Sequence, residues 1–492
     1  MKRFIQSLAE SLQVYFFKLL LIFLAGWGAS IFYVMSLPLG AGTKILWCLL
    51  PLLAGEVLIR MIMAMAYGPH YVYSVWSYFL VDDPVYGNAF RKAARAKELD
   101  FLLFDRFVFR QGQPRLLDME ENRSRRLNFN VNSLGFRGKE FDPRQKAGKL
   151  RIFCSGGSTT ACDCNHDEEA WPPRLQEFLR QEGYDTEVIN AGVQAWYSYQ
   201  ELLRLEKEII GCQPDVVLLH QGWNEEFEYS SLSLGRHWRP RTVRNAREEN
   251  NLYCPANPLL SGTLSLGFYM GVQAILKNLI FIPNMRFTNP RRWEVLLRED
   301  YIRAWVDNLL DMARLAEQNN LLMYAIDYPG LVDMADSPEE RDHYIMHSRL
   351  TPLYADYQAV SKKRISRTLT ACEEVIPCLK TEEDFLPFTK EARRRLFHDE
   401  IHMTPEGNDL LAQAIGRKLI IDRDFQQKYK DPAARKSNVN LDRDVVAGVL
   451  ERTCQPSPYL ERYITGKVQR LERQHPAKTQ HAEVPVDRYT TF

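Results

Sequence analysis

Four short stretches of this 492-residue chain carry residue types able to do acyl chemistry. The first is Ser155-Gly156-Gly157-Ser158-Thr159-Thr160, directly after an apolar run. Its two glycines permit a tight strand-to-helix turn, and Ser158 at the exit sits where backbone N–H groups converge and can stabilise an anion. The second, Asn190-Ala191-Gly192, offers a glycine whose N–H can approach the same crevice. The third, Gln221-Gly222-Trp223-Asn224-Glu225, supplies the Asn224 amide, a possible donor to an oxyanion. The fourth, His398-Asp399-Glu400-Ile401-His402, places Asp399 three residues before His402, a spacing at which a carboxylate can orient an imidazole.

Taken singly, each stretch has an ordinary explanation as a turn, a cap or a helix start. Competing chemistries fit less well. The glycine-rich turn lacks the Gly-Lys-Ser/Thr ending of a phosphate loop and the Gly-x-Gly-x-x-Gly spacing of a dinucleotide site. Cys162-Asp163-Cys164-Asn165-His166 contains zinc-ligand types, but no second ligand pair follows at a recognised distance, so no metal site is expected. His398 competes with His402 for the role of base, but its side chain should diverge from the adjacent Asp399.

These residues need a scaffold, and the pattern from Leu150 onward supplies one. Short apolar runs alternate with amphipathic helices, the signature of a parallel sheet with helices on both faces. Strands are expected at Leu150 to Cys154, Glu187 to Ile189, Asp215 to His220, Leu321 to Ile326 and Val375 to Leu379. Helices are expected near Glu168 to Gln181, Tyr199 to Ile210 and Tyr354 to Cys372. A last helix is opened by Thr404 and Pro405, suited to N-cap and first-turn positions. In such open sheets chemistry collects at the carboxyl ends of the strands, where the first three stretches fall, while the fourth precedes the last helix.

In this order the four stretches resemble the blocks of the SGNH/GDSL-type serine hydrolases, which carry Ser, Gly, Asn and His in that chain order. Gly156-Gly157-Ser158-Thr159-Thr160 resembles the nucleophile block, Asn190-Ala191-Gly192 the glycine block, Gly222-Trp223-Asn224-Glu225 the asparagine block and Asp399-Glu400-Ile401-His402 the Asp-x-x-His block. The match covers about residues 128 to 420. Asn132-Ser133-Leu134-Gly135-Phe136-Arg137-Gly138 and Glu168-Glu169-Ala170-Trp171-Pro172 also resemble segments of bacterial membrane-anchored members. Glu225 stands where members often have Asp. The resemblance implies Ser158 as nucleophile, His402 as base, Asp399 as its orienting acid, and an oxyanion hole of the Ser158 and Gly192 N–H groups with the Asn224 amide. It implies neither cofactor nor metal. The fold expected is a flavodoxin-like α/β/α sandwich with a parallel sheet of about five strands, preceded by N-terminal transmembrane helices.

Membrane attachment is read from residues 19 to 43, which contain no charged side chain, with Leu19 to Met35 close to bilayer length. A second apolar run, Ile45 to Gly68, is broken by Glu56 and Arg60, four apart on one helical face. Lys2 and Arg3 favour a cytoplasmic N-terminus, so two spans return the domain to the cytoplasmic side of a bacterial inner membrane; the periplasmic side is the alternative. With 63 Lys plus Arg against 62 Asp plus Glu, no whole-protein basic field exists to gather nucleic acid. Nine cysteines without a small-scaffold spacing lean toward a reducing compartment.

The expected organisation is a membrane anchor over 1–68, a juxtamembrane connection over 69–127, a hydrolase domain over 128–422 with an insertion at about 226–297, and a charged tail over 423–492 that wraps the body or is partly disordered. The expected function is cleavage of a carboxylic ester, an O-acyl group on a glycan or lipid, with membrane lipid and a membrane protein as further partners. Two alternatives stay open. One is an O-acyltransferase or deacylase subunit working with a membrane acyl donor, and the other a non-catalytic scaffold.

Overall fold

The computed structural model describes residues 26–51, 80–99 except 84, 91 and 94, 127–226 except 147 and 195, 290–344 except 298, 353–431 except 399 and 400, and 436–474 except 456. Two two-stranded antiparallel sheets come first in the chain, β1 (Leu80–Asp83) with β2 (Gly87–Phe90), and β3 (Arg95–Leu99) with β4 (Leu127–Asn130). The central sheet has five strands: β5 (Leu150–Gly156), β6 (Thr186–Asn190), β7 (Val216–His220), β8 (Leu322–Ile326) and β9 (Cys378–Leu379).

All neighbours in that sheet run parallel, in the order β6-β5-β7-β8-β9. Counted within the sheet this is 2-1-3-4-5, the flavodoxin-like order, whose switch point lies beside the first strand. The apolar runs of β5, β7 and β8 follow from their central places, since a parallel strand covered on both faces has no side to turn to water.

The two faces are covered separately. Phe153, Val217, Leu219, Met323 and Ala325 point into a layer made by α3 (Ser198–Arg204), α4 (Glu299–Gln318), α5 (Tyr354–Cys372) and α8 (Arg443–Cys454). Their neighbours in the period-two alternation, Ile152, Cys154, Val216, Leu218, Leu322 and Tyr324, meet α2 (Trp171–Gln181), α6 (Pro405–Ile421) and α7 (Arg423–Lys430). The short α1 (Ser158–Ala161) leaves the end of β5.

Several expectations differ from what is seen. The helix from Glu168 is two elements, a 3-10 turn at Asp167–Glu169 and α2, because Pro172 and Pro173 suit only a helix start. The helix expected to Ile210 stays α-helical only to Arg204 and widens into a π turn at Leu205–Ile209. The last strand is two residues, while Val375 and Ile376 are buried in the preceding turn. The expected boundary at 127/128 falls within β4, which pairs with β3, and Tyr86 and Phe90 of the expected connecting segment belong to the main core.

Three helices make up most of the described part of the charged tail. Asp422 and Asp442 cap α7 and α8, and Leu460, Ile464, Val468 and Leu471 form one apolar face of α9 (Pro458–Gln474) against Trp293 and Tyr357. Of the two N-terminal apolar runs, residues 26–36 and 41–51 are helical, and Phe32, Ile45, Leu46 and Trp47 are exposed. Among the described residues no helix is long and apolar enough to cross a membrane; residues 19–25 and 52–68 lie outside them.

Candidate active site

The chain leaves β5 outward to β6 and returns to β7 on the other side, so the carboxyl ends of these three strands enclose one crevice. Ser158 is the first helical residue after β5, Gly192 follows β6, and Asn224 lies in the helical turn at 223–226 after β7. Being first in its helix, Ser158 has a backbone N–H without an intrahelical acceptor. Cys162 in the left-handed conformation, with φ of 54°, stops α1 after one turn.

Two glycines are required by close approach. A β-carbon on Gly157 would stand 2.6 Å from Asn224 Nδ2, which shows how directly the amide overlies the nucleophile turn. A β-carbon on Gly192 would collide with the Ala161 nitrogen and the Thr160 side chain, so only glycine lets the β6 turn lie against α1. Asn190 pins that turn, donating from Nδ2 to Thr160 O at 2.8 Å, while its backbone carbonyl accepts from Arg137 N at 3.1 Å.

The His402 imidazole comes from the segment before α6. Phe397 and Met403 form an antiparallel bridge, His398 N donates to His402 O at 2.7 Å, and Thr404 caps the helix by accepting from Gly407 N at 3.3 Å. His402 Nε2 stands 2.8 Å from Ser158 Oγ. That distance suits proton transfer from the hydroxyl to the imidazole. His398, the rival, is buried and turns elsewhere, its Nε2 lying 3.4 Å from Asn165 Oδ1. Asp399, expected to orient His402, lies outside the described residues.

Of the expected oxyanion donors, Asn224 Nδ2 donates to Trp196 O at 2.7 Å and, as a primary amide, retains a second N–H. The Gly192 N–H donates to Asn190 Oδ1 at 3.0 Å, so its use on an oxyanion requires that bond to be exchanged or shared.

Beneath the crevice lies a buried polar layer that sequence reasoning passed over. Thr159 Oγ1 is 2.9 Å from Tyr328 OH, and the Tyr328 ring stacks on His220 with centroids 4.2 Å apart. Burial drives the His220 imidazole down to about 3, so it is neutral at ordinary pH. Glu225 Oε1 accepts from Ser198 N at 2.5 Å, which fastens the Asn224 turn to the start of α3. Burial raises Glu225 above the usual carboxylate range, and burial together with the Glu225 charge raises Glu201 well above it. Glu226, expected to begin an insertion, is instead buried, with both carboxylate oxygens 3.0 Å from Arg364 Nε. Residues 227–289 of that insertion lie outside the described residues.

Within the Cys162–His166 stretch, two side chains bond to neighbouring backbone. His166 Nδ1 accepts from Asn128 N at 2.9 Å and Cys162 Sγ donates to Thr159 O at 3.3 Å. Among the described residues no three His, Cys, Asp or Glu side chains gather to hold a metal ion. Asp163 and Arg137 have no expected site role, and the fold buries both beside the Ser158 helix. A carboxylate inside an apparent ligand motif and an arginine two places after a glycine were the available signals.

No family model matches the chain, and no curated protein matches it. Solved structures do. A GDSL-like lipase from Bacteroides thetaiotaomicron VPI-5482 is 17% identical with a TM-score of 0.29, over 56% of this chain and 91% of that one. Axe2, an acetylxylan esterase from Geobacillus stearothermophilus, is 13% identical with a TM-score of 0.31, over 56% and 96%. TesA is 14% identical with a TM-score of 0.29, over 55% and 97%. Identities this low leave the chemistry to be argued from the residues.

Proposed function

We propose that the chain is a serine esterase of the SGNH/GDSL type that cleaves a carboxylic ester through an acyl-enzyme. One observation carries the reading: Ser158 Oγ stands 2.8 Å from His402 Nε2 at the switch point of a parallel sheet. Ser158 Oγ attacks the ester carbonyl carbon while His402 Nε2 takes the hydroxyl proton. The charge on the carbonyl oxygen meets the Ser158 N–H, the free N–H of Asn224 and, after exchange, that of Gly192. Collapse of the tetrahedral intermediate breaks the bond to the alkoxide, which leaves with the proton from His402. Water, deprotonated by His402, then adds to the acyl carbon, and collapse breaks the bond to Ser158 Oγ, which recovers its proton from His402 as the acid leaves. Asp399 holds the imidazole tautomer and supports its charge.

The reading extends to a membrane-attached enzyme acting on an O-acylated glycan or lipid. Uncharged residues 19–43 and the exposed apolar side chains of 26–51 support attachment, and the two-span arrangement would put the site on the cytoplasmic face of an inner membrane. Labelling a single reporter thiol in the last residues with an impermeant reagent on intact spheroplasts tests the side; labelling without permeabilisation would place the domain outside.

The chemistry is tested with a small chromogenic acetyl ester. Ser158→Ala should lose activity by several orders of magnitude while unfolding at the parent's temperature. Parent and variant turning over equally would remove Ser158 from the mechanism. Adding a sugar acceptor and seeking acyl-sugar separates hydrolysis from transfer.

A further inference from the structure

Asp163, on the loop after the Ser158 helix, is an acid that the reaction as described leaves unused. It is 3% exposed, and its Oδ1 has no hydrogen-bond partner among the described residues. The loop around it is clamped from two sides. Arg137, equally buried, donates from Nη1 to the carbonyls of Ala161 and Cys162, from Nη2 to Asn165 O at 2.7 Å and from Nε to Asp167 at 3.2 Å. On the other side, Asn165 Nδ2 donates to Met403 O at 2.9 Å, and Cys162 Sγ donates to Asn408 Oδ1 at 3.5 Å. Asp163 is thus enclosed between the helix of the nucleophile and the segment that bears the base.

A buried carboxyl with an unmet acceptor is costly, and an asparagine or an apolar residue would spare the fold that cost. Such a group is useful where positive charge develops. In acyl transfer the developing positive charge of this region is the His402 imidazolium.

We infer that Asp163 is a positioning residue for His402, a second carboxyl that stabilises the imidazolium alongside Asp399. The inference rests on the serine-hydrolase reading above. The charges that act on the Asp163 carboxyl are those of Arg137, from the segment before β5, and His402, from the segment before α6, and its own charge acts on the Cys162 thiol. Asp167 lies beyond, on Arg137. Burial pushes the Cys162 thiol up to about 12, which keeps it neutral. Burial pushes the Asp163 carboxyl up to about 7, against the pull of Arg137 and His402. The carboxyl therefore gains its charge near neutral pH, and every increment of charge on the imidazole favours that ionisation.

The experiment compares Asp163→Asn with the parent in the full chain, since asparagine keeps the shape and removes the charge. With the chromogenic acetyl ester, kcat/KM should fall roughly three- to tenfold at pH 8 and by less at pH 5.5, where Asp163 of the parent is protonated. In a Ser158→Ala background, NMR of labelled histidine should show the His402 midpoint moving down by roughly half a pH unit or more when Asp163→Asn is added. Thermal unfolding at pH 8 should occur at the parent's temperature or above it. An unmoved imidazole midpoint would overturn the inference, as would an activity ratio equal at both pH values. Should Asp163→Asn fail to fold, Asp163→Ala read by the same titration decides. If the parent hydrolyses no ester and Ser158→Ala changes nothing, the hydrolase reading fails, while the imidazole midpoint still reports separately on Asp163.

Discussion

Strands β5 and β7 run the length of the sheet, and their two ends are built on opposite rules. At the amino ends, Arg151 is wholly enclosed and satisfied. Its Nε meets Glu187 at 2.7 Å, and its Nη groups donate to the carbonyls of Asp142, Pro143, Gln145 and Cys212. Asp215 there accepts from Arg151 N and from Lys146 Nζ, each at 2.8 Å. At the carboxyl ends of the same strands, Asp163 Oδ1, Thr160 Oγ1, Gln221 Oε1 and both ring nitrogens of His220 are buried without hydrogen-bond partners among the described residues, and burial raises the Glu201 and Glu225 carboxyls above the usual range. Satisfied polar groups specify and stabilise a fold, whereas unsatisfied ones cost it. One end of the sheet is satisfied, and the other, where the proposed site lies, carries the unsatisfied groups.

The sharpest way to break that comparison is at the base. His402→Ala should reduce kcat for an acetyl ester by roughly four to six orders of magnitude, with stability nearly unchanged, because Ser158 loses its only proton acceptor at hydrogen-bond distance among the described residues. Activity within tenfold of the parent would mean that the carboxyl end is structural after all.

The amino end should respond in the opposite sense. Arg151→Ala leaves Glu187 and several carbonyls without their donor, and should lower unfolding free energy by about 3–5 kcal/mol. Measured on the remaining folded fraction, kcat/KM should stay within about twofold of the parent. A large catalytic loss at full folding would show that the two ends are mechanically coupled.

Asn224→Ala sharpens the picture within the site. Because the charge it meets exists only in the transition state, kcat should fall by roughly a hundredfold to a thousandfold with KM little changed. A raised KM with unchanged kcat would move Asn224 from the oxyanion to substrate binding.

These residues were unequally legible in the sequence. Ser158, Gly192, Asn224 and His402 sit at or just past element boundaries that apolar runs and helix-start chemistry mark locally, so their places could be read off. The contribution of Arg137 could not, since its guanidinium joins three carbonyls 24 to 28 residues away in a loop with no periodicity. Asp163 was hidden by its neighbours: flanked by Cys162 and Cys164, it suggested metal chemistry, and only the closing of that loop on the His402 segment shows what it faces. The tail helices were obscured because charge dominates their composition, while the decisive signal is a sparse apolar face at Leu460, Ile464, Val468 and Leu471. The two antiparallel strand pairs before β5 have four or five residues per strand, too short for alternation to announce them.

The smallest expected effect concerns the reserve of protons at the carboxyl end. Glu201 is 1% exposed, and burial, then the Glu225 charge, raises its folded-state pKa well above the usual range. Below the unfolded-state value of about 4.3 the group is protonated in both states and its contribution to stability is fully present. As pH rises above that value the unfolded chain ionises first, so stability is lost progressively until the folded value is passed. Glu201→Gln retains the shape and cannot ionise. The variant should match the parent near pH 4.5 and exceed it increasingly as pH rises to 8, with esterase activity unchanged at both. Urea unfolding of both proteins across that range reads the difference directly. A gap that stays constant with pH would mean that Glu201 is ionised in the folded state, and the carboxyl end would then resemble the amino end in holding a compensated charge.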